Sequence, residues 1–288
     1  MQLKLAIQEA TEKLCSAGLS DARRDAELLL LHVLRRDRAY LLAHPELVLS
    51  CRELSPYYEM LQQRCSGKPM QYITGHQEFW GLDFLVTPAV LIPRPETEHS
   101  VEAVLELVKA GEIPNAAAPR ILDVGTGSGA IALSLAHELP QARVIACDIS
   151  LTALEVARNN AIRLDLVEKV EFLESDLLST LLPQDAGQFS IVVSNPPYVA
   201  DDDPAVEAQV RNFEPARALF AGPTGNAIYE RLIPQVREAL MAGGWLVLEI
   251  GAQNEAGVRD LLRGWERVEV RPDLRGIPRV VLARKPAQ

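Results

Sequence analysis

The pattern of apolar and polar positions changes along the chain, and its first part has helical spacing. In residues 1–75 apolar residues recur three or four positions apart, without the alternation that is typical of strands. The helix predicted within 21–36 has an apolar face made of Ala22, Ala26, Leu29, Leu30, Val33 and Leu34. Helix breaks are predicted near residue 18 and at 44–45, 55–56 and 67–69, where glycine or proline occurs. This part therefore predicts a small helical bundle.

A short segment after the bundle has the pattern of a β-hairpin. In residues 76–92 aromatic and β-branched side chains flank a turn predicted at 81–83. A helix is predicted next, with Pro95 suited to its first turn and Gly111 to its end. We therefore treat 76–92 as a hairpin linker between the bundle and a third part, residues 93–288.

From residue 120 onward, apolar strands alternate with amphipathic helices. The predicted strands lie within 120–125, 142–150, 169–176, 189–195, 244–251, 266–273 and 278–285. The last two can close the sheet as a hairpin. Alternation of this kind predicts an α/β domain with a mostly parallel, doubly wound sheet.

Composition narrows the class of protein. The chain of 288 residues is 48% hydrophobic and 24% charged, as is usual for globular proteins. No apolar run approaches the ~20 residues that cross a bilayer, so we expect no membrane association. The cysteines, Cys15, Cys51, Cys65 and Cys147, lack C-x-x-C spacing. We therefore expect no metal site and a location in the reducing cytoplasm.

The distribution of charge argues against a nucleic-acid partner. The net charge is −10, and residues 1–75 hold ten basic and nine acidic residues. The negative charge therefore lies in the remainder of the chain. Because phosphate backbones are bound by basic faces, we expect no stable binding of nucleic acid.

A glycine-rich loop follows the first strand of the third part. It contains Gly125, Thr126, Gly127, Ser128 and Gly129, and a helix is predicted directly after it. The glycines let the backbone approach a ligand closely, and the start of the helix offers free N–H groups. The same spacing also satisfies the looser dinucleotide fingerprint, so the loop alone leaves the cofactor open.

Acidic residues near the ends of three predicted strands distinguish between the cofactors. Asp123 precedes the loop, where a carboxylate suits a cationic ligand, and Asp148 can bind both ribose hydroxyls. Asp176 can accept a hydrogen bond from an adenine amino group. Ribose, adenine and a positive charge describe S-adenosyl-L-methionine better than NAD, whose pyrophosphate is anionic.

The segment N-P-P-Y ends the fourth predicted strand at the same edge of the sheet. Pro196 and Pro197 have no N–H, so this loop presents carbonyl oxygens, and the side chain of Asn195 adds another acceptor. Two acceptors suit a planar –NH2 group, and Tyr198 offers a flat face for stacking. We therefore expect these four residues to be catalytic and substrate-binding, with Asn195 also bordering the cofactor.

These motifs resemble those of a known enzyme family. D-x-G-T-G-S-G followed by N-P-P-Y resembles class I methyltransferases that modify planar amino groups. The segments 68–98, 210–222 and 248–251 narrow the resemblance to the peptide chain release factor glutamine methyltransferases, the HemK/PrmC type. The resemblance spans nearly the whole chain. It implies a Rossmann-like class I methyltransferase domain and an N-terminal helical domain that docks the substrate.

The resemblance also implies an activity and residue roles. Methyl would pass from S-adenosyl-L-methionine to the glutamine amide of the GGQ motif in class I release factors, with S-adenosyl-L-homocysteine as product. Residues 125–129 would line the methionine part and Asp148 would hold the ribose, while Asp176 and Leu177 would border the adenine. Many relatives have an aromatic residue at the position of Leu177.

One further feature of the resemblance concerns the cover of the pocket, and a separate expectation concerns the oligomeric state. Arg94 and Glu98 lie in a segment that resembles the family's cover over the pocket, and a salt bridge at the helix start explains them equally well. We expect a monomer.

Other functions stay open at this point. A sister family methylates a glutamine of a large-subunit ribosomal protein. Its members resemble this chain but have a segment similar to P-R-S-P-I-G-E where this chain has P-R-P-E-T-E. A DNA methyltransferase acting on exocyclic amino groups would want a basic cleft and a recognition insert. An NAD(P)-dependent oxidoreductase would leave N-P-P-Y unexplained, and a docking role without catalysis is an option for residues 1–75 alone.

Overall fold

The computed structural model describes residues 1–287 and divides them into two compact units. The helical unit consists of Met1–His76 together with Ala208–Phe213. The sheet unit consists of Gln77–Glu207 and the described residues from Glu214 onward. The boundaries predicted from the sequence do not group 208–213 with the N-terminal helices.

Helices dominate the N-terminal part and alternate with strands in the rest. Within residues 1–287 the α-helices are α1 (Leu3–Ser16), α2 (Ala22–Leu34), α3 (Arg38–Ala43), α4 (Cys51–Cys65), α5 (Met70–Thr74), α6 (Glu98–Lys109), α7 (Ala130–Glu138), α8 (Leu151–Arg163), α9 (Leu182–Asp185), α10 (Ala208–Phe213), α11 (Ala227–Ala239) and α12 (Glu255–Leu261). Short 3₁₀ turns lie at Pro95–Thr97, Ala216–Ala218 and Ala252–Asn254.

The strands form a hairpin and a larger sheet. Their bounds are β1 (His76–Phe79), β2 (Leu82–Leu85), β3 (Arg120–Val124), β4 (Arg143–Asp148), β5 (Val170–Glu174), β6 (Phe189–Ser194), β7 (Leu240–Glu249), β8 (Glu266–Pro272) and β9 (Pro278–Arg284). Within residues 1–287, β1 pairs with β2, and the other seven strands lie in the order β5-β4-β3-β6-β7-β9-β8. Strands β3 to β7 pair in parallel, whereas β9 is antiparallel to β7 and β8. This confirms the predicted doubly wound sheet and its closing hairpin.

The order of the strands positions the site. From β3 the chain continues to β4 and β5 on one side, and β6 and β7 lie on the other side. Such a reversal opens a crevice at the carboxyl ends of the strands, where α/β sheets bind ligands. The loops that follow β3, β4 and β6 therefore meet at one point.

Apolar side chains cover both faces of the sheet. Every residue of β6 is buried, as expected of a central parallel strand. Alternate residues of β7 enter opposite core clusters, with Trp245 in one and Leu246 in the other. Helices pack on both faces, so the strand ends are held rigidly beneath the site.

One predicted helix break is wrong. Pro56 lies inside α4, although a break was expected at 55–56. The helix starts at a capping box in which the Ser50 N–H donates to Glu53 Oε2 at 2.7 Å. Tyr57 and Leu61, which follow the proline, are buried in the core of the helical unit. Packing of this face and the strong cap outweigh the helical hydrogen bond that the proline removes.

The hairpin turn lies one residue earlier than predicted. Trp80 (φ 54°) and Gly81 (φ 71°) occupy its two central positions, as in turns that match the twist of two paired strands. The Trp80 N–H donates to Glu98 Oε1 at 2.8 Å. Phe79 and Phe84 pack edge to face behind the turn, with ring centroids 6.1 Å apart.

A buried asparagine joins this hairpin to the glycine-rich loop. Asn160 of α8 accepts a hydrogen bond from the Leu85 N–H through Oδ1 at 2.7 Å. Its Nδ2 donates to the carbonyl oxygens of Leu85 and Ser128, at 2.9 Å each. One side chain therefore satisfies three backbone groups, two from the end of β2 and one from the glycine-rich loop.

We expect Asn160→Ala to lower the free energy of unfolding by about 2–4 kcal/mol, because it leaves buried backbone groups without partners. Urea unfolding measures this loss. The matched control is Asn159→Ala, since Asn159 is the exposed neighbour on the same helix and its replacement should cost less than ~0.5 kcal/mol. Similar losses in the two variants would contradict the role given to Asn160.

Candidate active site

A cavity opens at the carboxyl edge of the parallel strands. Its volume is about 620 Å³, within the range of small-molecule sites. The predicted site residues that line it are Gly125, Thr126, Gly127, Ser128, Asp148, Asp176, Leu177, Asn195, Pro196 and Pro197. Asp123, Gly129 and Tyr198 lie outside this lining. The fold thus brings most of the predicted residues to one cavity, and their roles in binding stay predictions.

The glycine-rich loop uses much of its hydrogen-bonding capacity inside the protein. The N–H groups of Gly125 and Thr126 donate to the carbonyl oxygen of Cys147, at 2.8 and 3.0 Å. The Gly127 N–H donates to Asp148 Oδ2 at 2.9 Å. The path of the loop turns these three N–H groups toward β4, whereas the free N–H groups expected from the sequence are those at the start of α7. Fewer donors remain for an anionic pyrophosphate than the glycine spacing suggests.

Asp123 lies beneath the loop, away from the cavity. Its Oδ2 accepts hydrogen bonds from the Thr126 hydroxyl at 2.6 Å and from the Ala132 N–H at 3.2 Å. Oδ1 has no hydrogen-bond partner among the described residues. Burial raises the pKa of Asp123 to about 7, and the two hydrogen bonds oppose this rise. This carboxyl ties the loop to the first turn of α7.

Asp148 lies at the cavity wall, at the end of β4. Its Oδ2 accepts from the Gly127 N–H, and its Oδ1 accepts from the Ser150 N–H at 2.9 Å. Burial raises the pKa of Asp148, whereas these backbone donors and the charge of Arg217 lower it. Each carboxylate oxygen can accept a further hydrogen bond, so Asp148 retains capacity for a ligand.

Asp176 and Leu177 lie at the rim of the cavity after β5. Asp176 is exposed, and its Oδ2 accepts from Arg231 Nη2 at 2.6 Å. Leu177 has a φ of 54°, a left-handed conformation that is rare for a residue with a branched, bulky side chain. Its carbonyl oxygen accepts from the Cys147 thiol at 3.4 Å. The backbone at this rim is therefore held in an unusual conformation by contacts with β4.

The side-chain amide of Asn195 has a defined orientation. The preceding residue, Ser194, donates its hydroxyl to the carbonyl oxygen of Val124 at 2.7 Å and so joins the ends of β6 and β3. Asn195 Nδ2 donates to Thr97 Oγ1 at 3.0 Å. Because Nδ2 is engaged by Thr97, Oδ1 is the side-chain atom left to accept a hydrogen bond from a ligand.

A buried carboxyl lies behind this contact. Glu249 at the end of β7 is 1% exposed, and its Oε2 has no hydrogen-bond partner among the described residues. Burial raises its pKa to about 7, while the nearby Thr97 and Tyr198 side chains and the charge of Arg279 lower it. The ionised form of Glu249 is therefore disfavoured by burial and favoured by these neighbours.

Tyr198 is packed closely against two glycines. A Cβ at Gly251 would lie 2.9 Å from Tyr198 Cδ2, and a Cβ at Gly225 would lie 2.3 Å from the Tyr198 carbonyl oxygen. Only glycine permits this approach at both positions. Burial raises the pKa of Tyr198 well above its ordinary value. The ring of Tyr198 thus packs against Gly251 and its carbonyl oxygen against Gly225, and the stacking of Tyr198 on a substrate stays a prediction.

Arg94 pairs with an acid on a distant part of the chain. Its Nη2 donates to Glu214 Oε1 at 2.5 Å, and Glu214 Oε2 accepts from the Ile92 N–H at 3.1 Å. Arg94 lines the cavity. Glu98, the other candidate from this segment, instead holds the hairpin turn through the Trp80 N–H.

Three polar residues next to the site are absent from the sequence prediction. They are Thr97, Glu214 and Glu249. Glu249 ends a buried strand as Asp148 does. The pattern that singled out Asp148, an acidic residue at the end of an apolar strand, is therefore also present at Glu249. Thr97 has no such signal, because its importance comes from a partner that only the fold brings near.

The described residues contain neither a metal cluster nor a helix suited to a membrane. Within residues 1–287 no group of three or more His, Cys, Asp or Glu side chains is arranged to hold a metal ion. In the same range every helix is too short or too polar to cross a bilayer. Cys15, Cys51, Cys65 and Cys147 are free thiols.

Comparisons with known proteins identify relatives along the whole chain. A family model described as the PrmC N-terminal domain matches residues 6–75, and one described as the methyltransferase small domain matches residues 106–223. The release factor glutamine methyltransferase of Koribacter versatilis (strain Ellin345) is 51% identical, with 99% of each chain covered. That of Moorella thermoacetica is 44% identical, with 98% of each chain covered. That of Escherichia coli (strain K12) is 42% identical over 91% of this chain and 92% of its own.

A solved structure supports the same fold. The hMettl16 catalytic domain, solved in complex with MAT2A 3'UTR hairpin 6, matches with a TM-score of 0.55 at 16% identity, covering 82% of each chain. That likeness concerns the fold alone and confirms the predicted Rossmann-like methyltransferase architecture. The full-length relatives confirm the predicted enzyme class and its cofactor, S-adenosyl-L-methionine. With half of its positions identical to one such enzyme over nearly its entire length, the chain belongs to the release factor glutamine methyltransferase family.

Proposed function

We propose that this chain methylates the side-chain amide nitrogen of the glutamine in the GGQ motif of class I peptide chain release factors. Relatives with the name release factor glutamine methyltransferase cover between 91% and 99% of it. Their likeness extends through the N-terminal helices, which a DNA methyltransferase or an oxidoreductase would not need. The ribosomal-protein alternative is not favoured by any of these relatives.

One contact carries this proposal. The Asn195 amide donates through Nδ2 to Thr97 Oγ1 at 3.0 Å, which leaves Oδ1 as an acceptor. The neighbouring Pro196 and Pro197 supply backbone carbonyl oxygens and no N–H. A glutamine amide has two N–H donors on one nitrogen, and a pair of acceptors matches it. A hydroxyl group has only one donor and would satisfy this arrangement less well.

The residues of the cavity suit the cofactor. The carboxylate of Asp148 retains lone pairs for ribose hydroxyls, because each oxygen accepts one N–H from its own backbone surroundings. We assign residues 125–129 to the methionine part, Asp148 to the ribose, and Asp176 with Leu177 to the adenine edge. Asp123 supports the loop from below. The engaged N–H groups of the loop disfavour a pyrophosphate cofactor, in agreement with this assignment.

The chemistry required of the protein is mainly orientation. When bound, S-adenosyl-L-methionine supplies a methyl group on a positively charged sulfur. An amide nitrogen is a weak nucleophile, since its lone pair is delocalised into the carbonyl group. Asn195 Oδ1 and the Pro196 carbonyl would hold the two amide protons and so direct the lone pair into the cavity. We assign no general base, because the nitrogen becomes acidic once it is alkylated.

We assign docking of the release factor to the helical unit. The match of residues 6–75 to the PrmC N-terminal domain supports this role. Residues 1–75 carry almost no net charge, whereas the remainder is acidic and unsuited to nucleic acid. We propose that the chain acts as a monomer in the cytoplasm, where release factors work.

We expect Asn195→Ala to slow methyl transfer more than ~100-fold, because it removes an acceptor aimed at the reacting nitrogen. Transfer from labelled S-adenosyl-L-methionine to a release factor measures the rate, and calorimetry should find cofactor affinity nearly unchanged. Asn159→Ala is the matched control and should keep full activity. A release factor with Gln→Ala in its GGQ motif should stay unlabelled. Turnover by Asn195→Ala at the unmodified rate, or labelling of that mutant substrate, would count against the proposal.

We expect Asp148→Asn to weaken binding of S-adenosyl-L-methionine by about 10- to 100-fold. This is the loss of affinity that usually follows when hydrogen bonds to a charged acceptor are weakened. Isothermal titration calorimetry measures the dissociation constant. Glu174→Gln is a suitable control. Glu174 lies next to Asp148 on the adjacent strand β5, but it is exposed and does not line the cavity. Equal affinities of the Asp148 variant and the unmodified chain would exclude the ribose assignment.

A further inference from the structure

We propose that Glu214 is a positioning residue that joins two walls of the cavity and thereby sets the affinity for S-adenosyl-L-methionine. The first wall comes from the segment 88–94, and the second comes from residues 215–218. The inference rests on the proposed placement of the cofactor in this cavity. Glu214 lies outside the cavity lining, so it would act through Arg94 and the backbone of Ile92.

Both carboxylate oxygens of Glu214 bind the first wall. Oε1 accepts a hydrogen bond from Arg94 Nη2 at 2.5 Å, and Oε2 accepts one from the Ile92 N–H at 3.1 Å. These partners lie 120 and 122 positions away along the chain. Glu214 directly precedes the second wall, so a single side chain connects the two walls.

The first wall has no regular secondary structure to hold it. Residues 86–94 lie between β2 and the 3₁₀ turn that precedes α6, outside every helix and strand. Val90 and Ile92 are buried and anchor the segment by apolar packing. Such packing is not directional. The two hydrogen bonds to Glu214 are directional, and they fix the backbone at Ile92 and the side chain of Arg94.

The second wall leads into backbone that is paired with the residue after the N-P-P-Y segment. The Val199 N–H donates to the carbonyl oxygen of Leu219 at 3.0 Å. The Ala221 N–H donates to the carbonyl oxygen of Val199 at 2.8 Å. The backbone that follows Glu214 is therefore fixed beside the proposed amide-binding residues. Glu214 extends this fixed backbone to the first wall.

The ion pair has no evident explanation in stability alone. The side chain of Glu214 is 2% exposed, and that of Arg94 is 33% exposed. Burying such a pair costs hydration, and apolar side chains of similar size often replace it without a loss of stability. Apolar side chains could not, however, set the direction of a guanidinium or satisfy the Ile92 N–H. The pair therefore suits a role in positioning the first wall.

The first test measures cofactor affinity. Glu214→Gln keeps the size of the side chain but replaces one acceptor by a donor, which would face either Arg94 or the Ile92 N–H. We expect the dissociation constant of S-adenosyl-L-methionine, measured by calorimetry, to rise about fivefold or more. At saturating cofactor kcat should change less than about threefold, because the proposed amide-binding residues are unaltered. Asp260→Asn is the control, since Asp260 pairs with Arg263 on the exposed surface, outside the cavity lining.

A double-mutant cycle tests whether Glu214 acts through Arg94. Arg94→Met removes the guanidinium, keeps a long side chain and should itself weaken cofactor binding. Glu214→Gln should weaken binding less in the Arg94→Met background than in the unmodified one, by about threefold or more. Independent effects of the two substitutions would overturn the inference.

The second test needs neither cofactor nor activity. We expect the buried Ile92 amide of the unmodified chain to be protected from hydrogen exchange, as measured by NMR. Glu214→Gln should accelerate this exchange about tenfold or more. Arg94→Met should accelerate it by a smaller factor, because Glu214 can still accept from Ile92. The amides of β4 should change less than about threefold.

The exchange of β4 distinguishes positioning from a general effect on stability. An acceleration in β4 equal to that at Ile92 would show a general loss of stability and would overturn the inference. Unchanged exchange at Ile92 in Glu214→Gln would also overturn it. Should Glu214→Gln fail to fold, Arg94→Met carries both measurements, and normal affinity with normal exchange at Ile92 would overturn the inference.

The outcomes separate this inference from the proposed function. Unchanged affinity in Asp148→Asn would exclude the cofactor from this cavity, so the proposed site would fail. Weakened binding in Asp148→Asn together with normal binding in Glu214→Gln would overturn the inference alone. An unmodified chain that binds S-adenosyl-L-methionine but leaves a release factor unmethylated would overturn the proposed function alone.

Discussion

The site depends on one property of a parallel sheet, namely that its strands end at the same edge. Strands β3, β4, β6 and β7 deliver the glycine-rich loop, Asp148, Asn195 and Glu249 to neighbouring points there. Each of these residues follows or ends a strand that is buried on both faces, so its backbone has little freedom. The orientation that methyl transfer to an amide requires is therefore built mainly from the ends of rigid strands.

Buried carboxyl groups complete this arrangement from below. Asp123 holds the glycine-rich loop through Thr126 and Ala132, and Glu249 lies buried at the end of β7. Both carboxyls have a pKa raised to about 7 by burial. Such groups are costly to bury, and at Asp123 the gain is a fixed loop conformation at the cavity.

Much of the fold and the location of the site follow from sequence pattern, because periodicity and strand ends are local properties. Alternating strands and helices, the glycine spacing and the acid at the end of β4 were sufficient to predict the sheet and its binding edge. Hydrogen-bond partners were not predictable, since they depend on which segments meet. The donors of the glycine-rich loop turn inward, and Asn195 finds its partner at Thr97, 98 positions away. Likewise Pro56 remains within a helix because tertiary packing outweighs a local preference.

In the proposed function, recognition of the substrate depends on Asn195 presenting its side-chain carbonyl oxygen to a glutamine amide. The most direct measurement is a structure of this chain with S-adenosyl-L-homocysteine and a peptide that contains the GGQ motif. We expect the glutamine nitrogen within about 2.7–3.2 Å of Asn195 Oδ1, with Nδ2 still donating to Thr97. A glutamine nitrogen outside the cavity, or one facing Asn195 Nδ2, would contradict it.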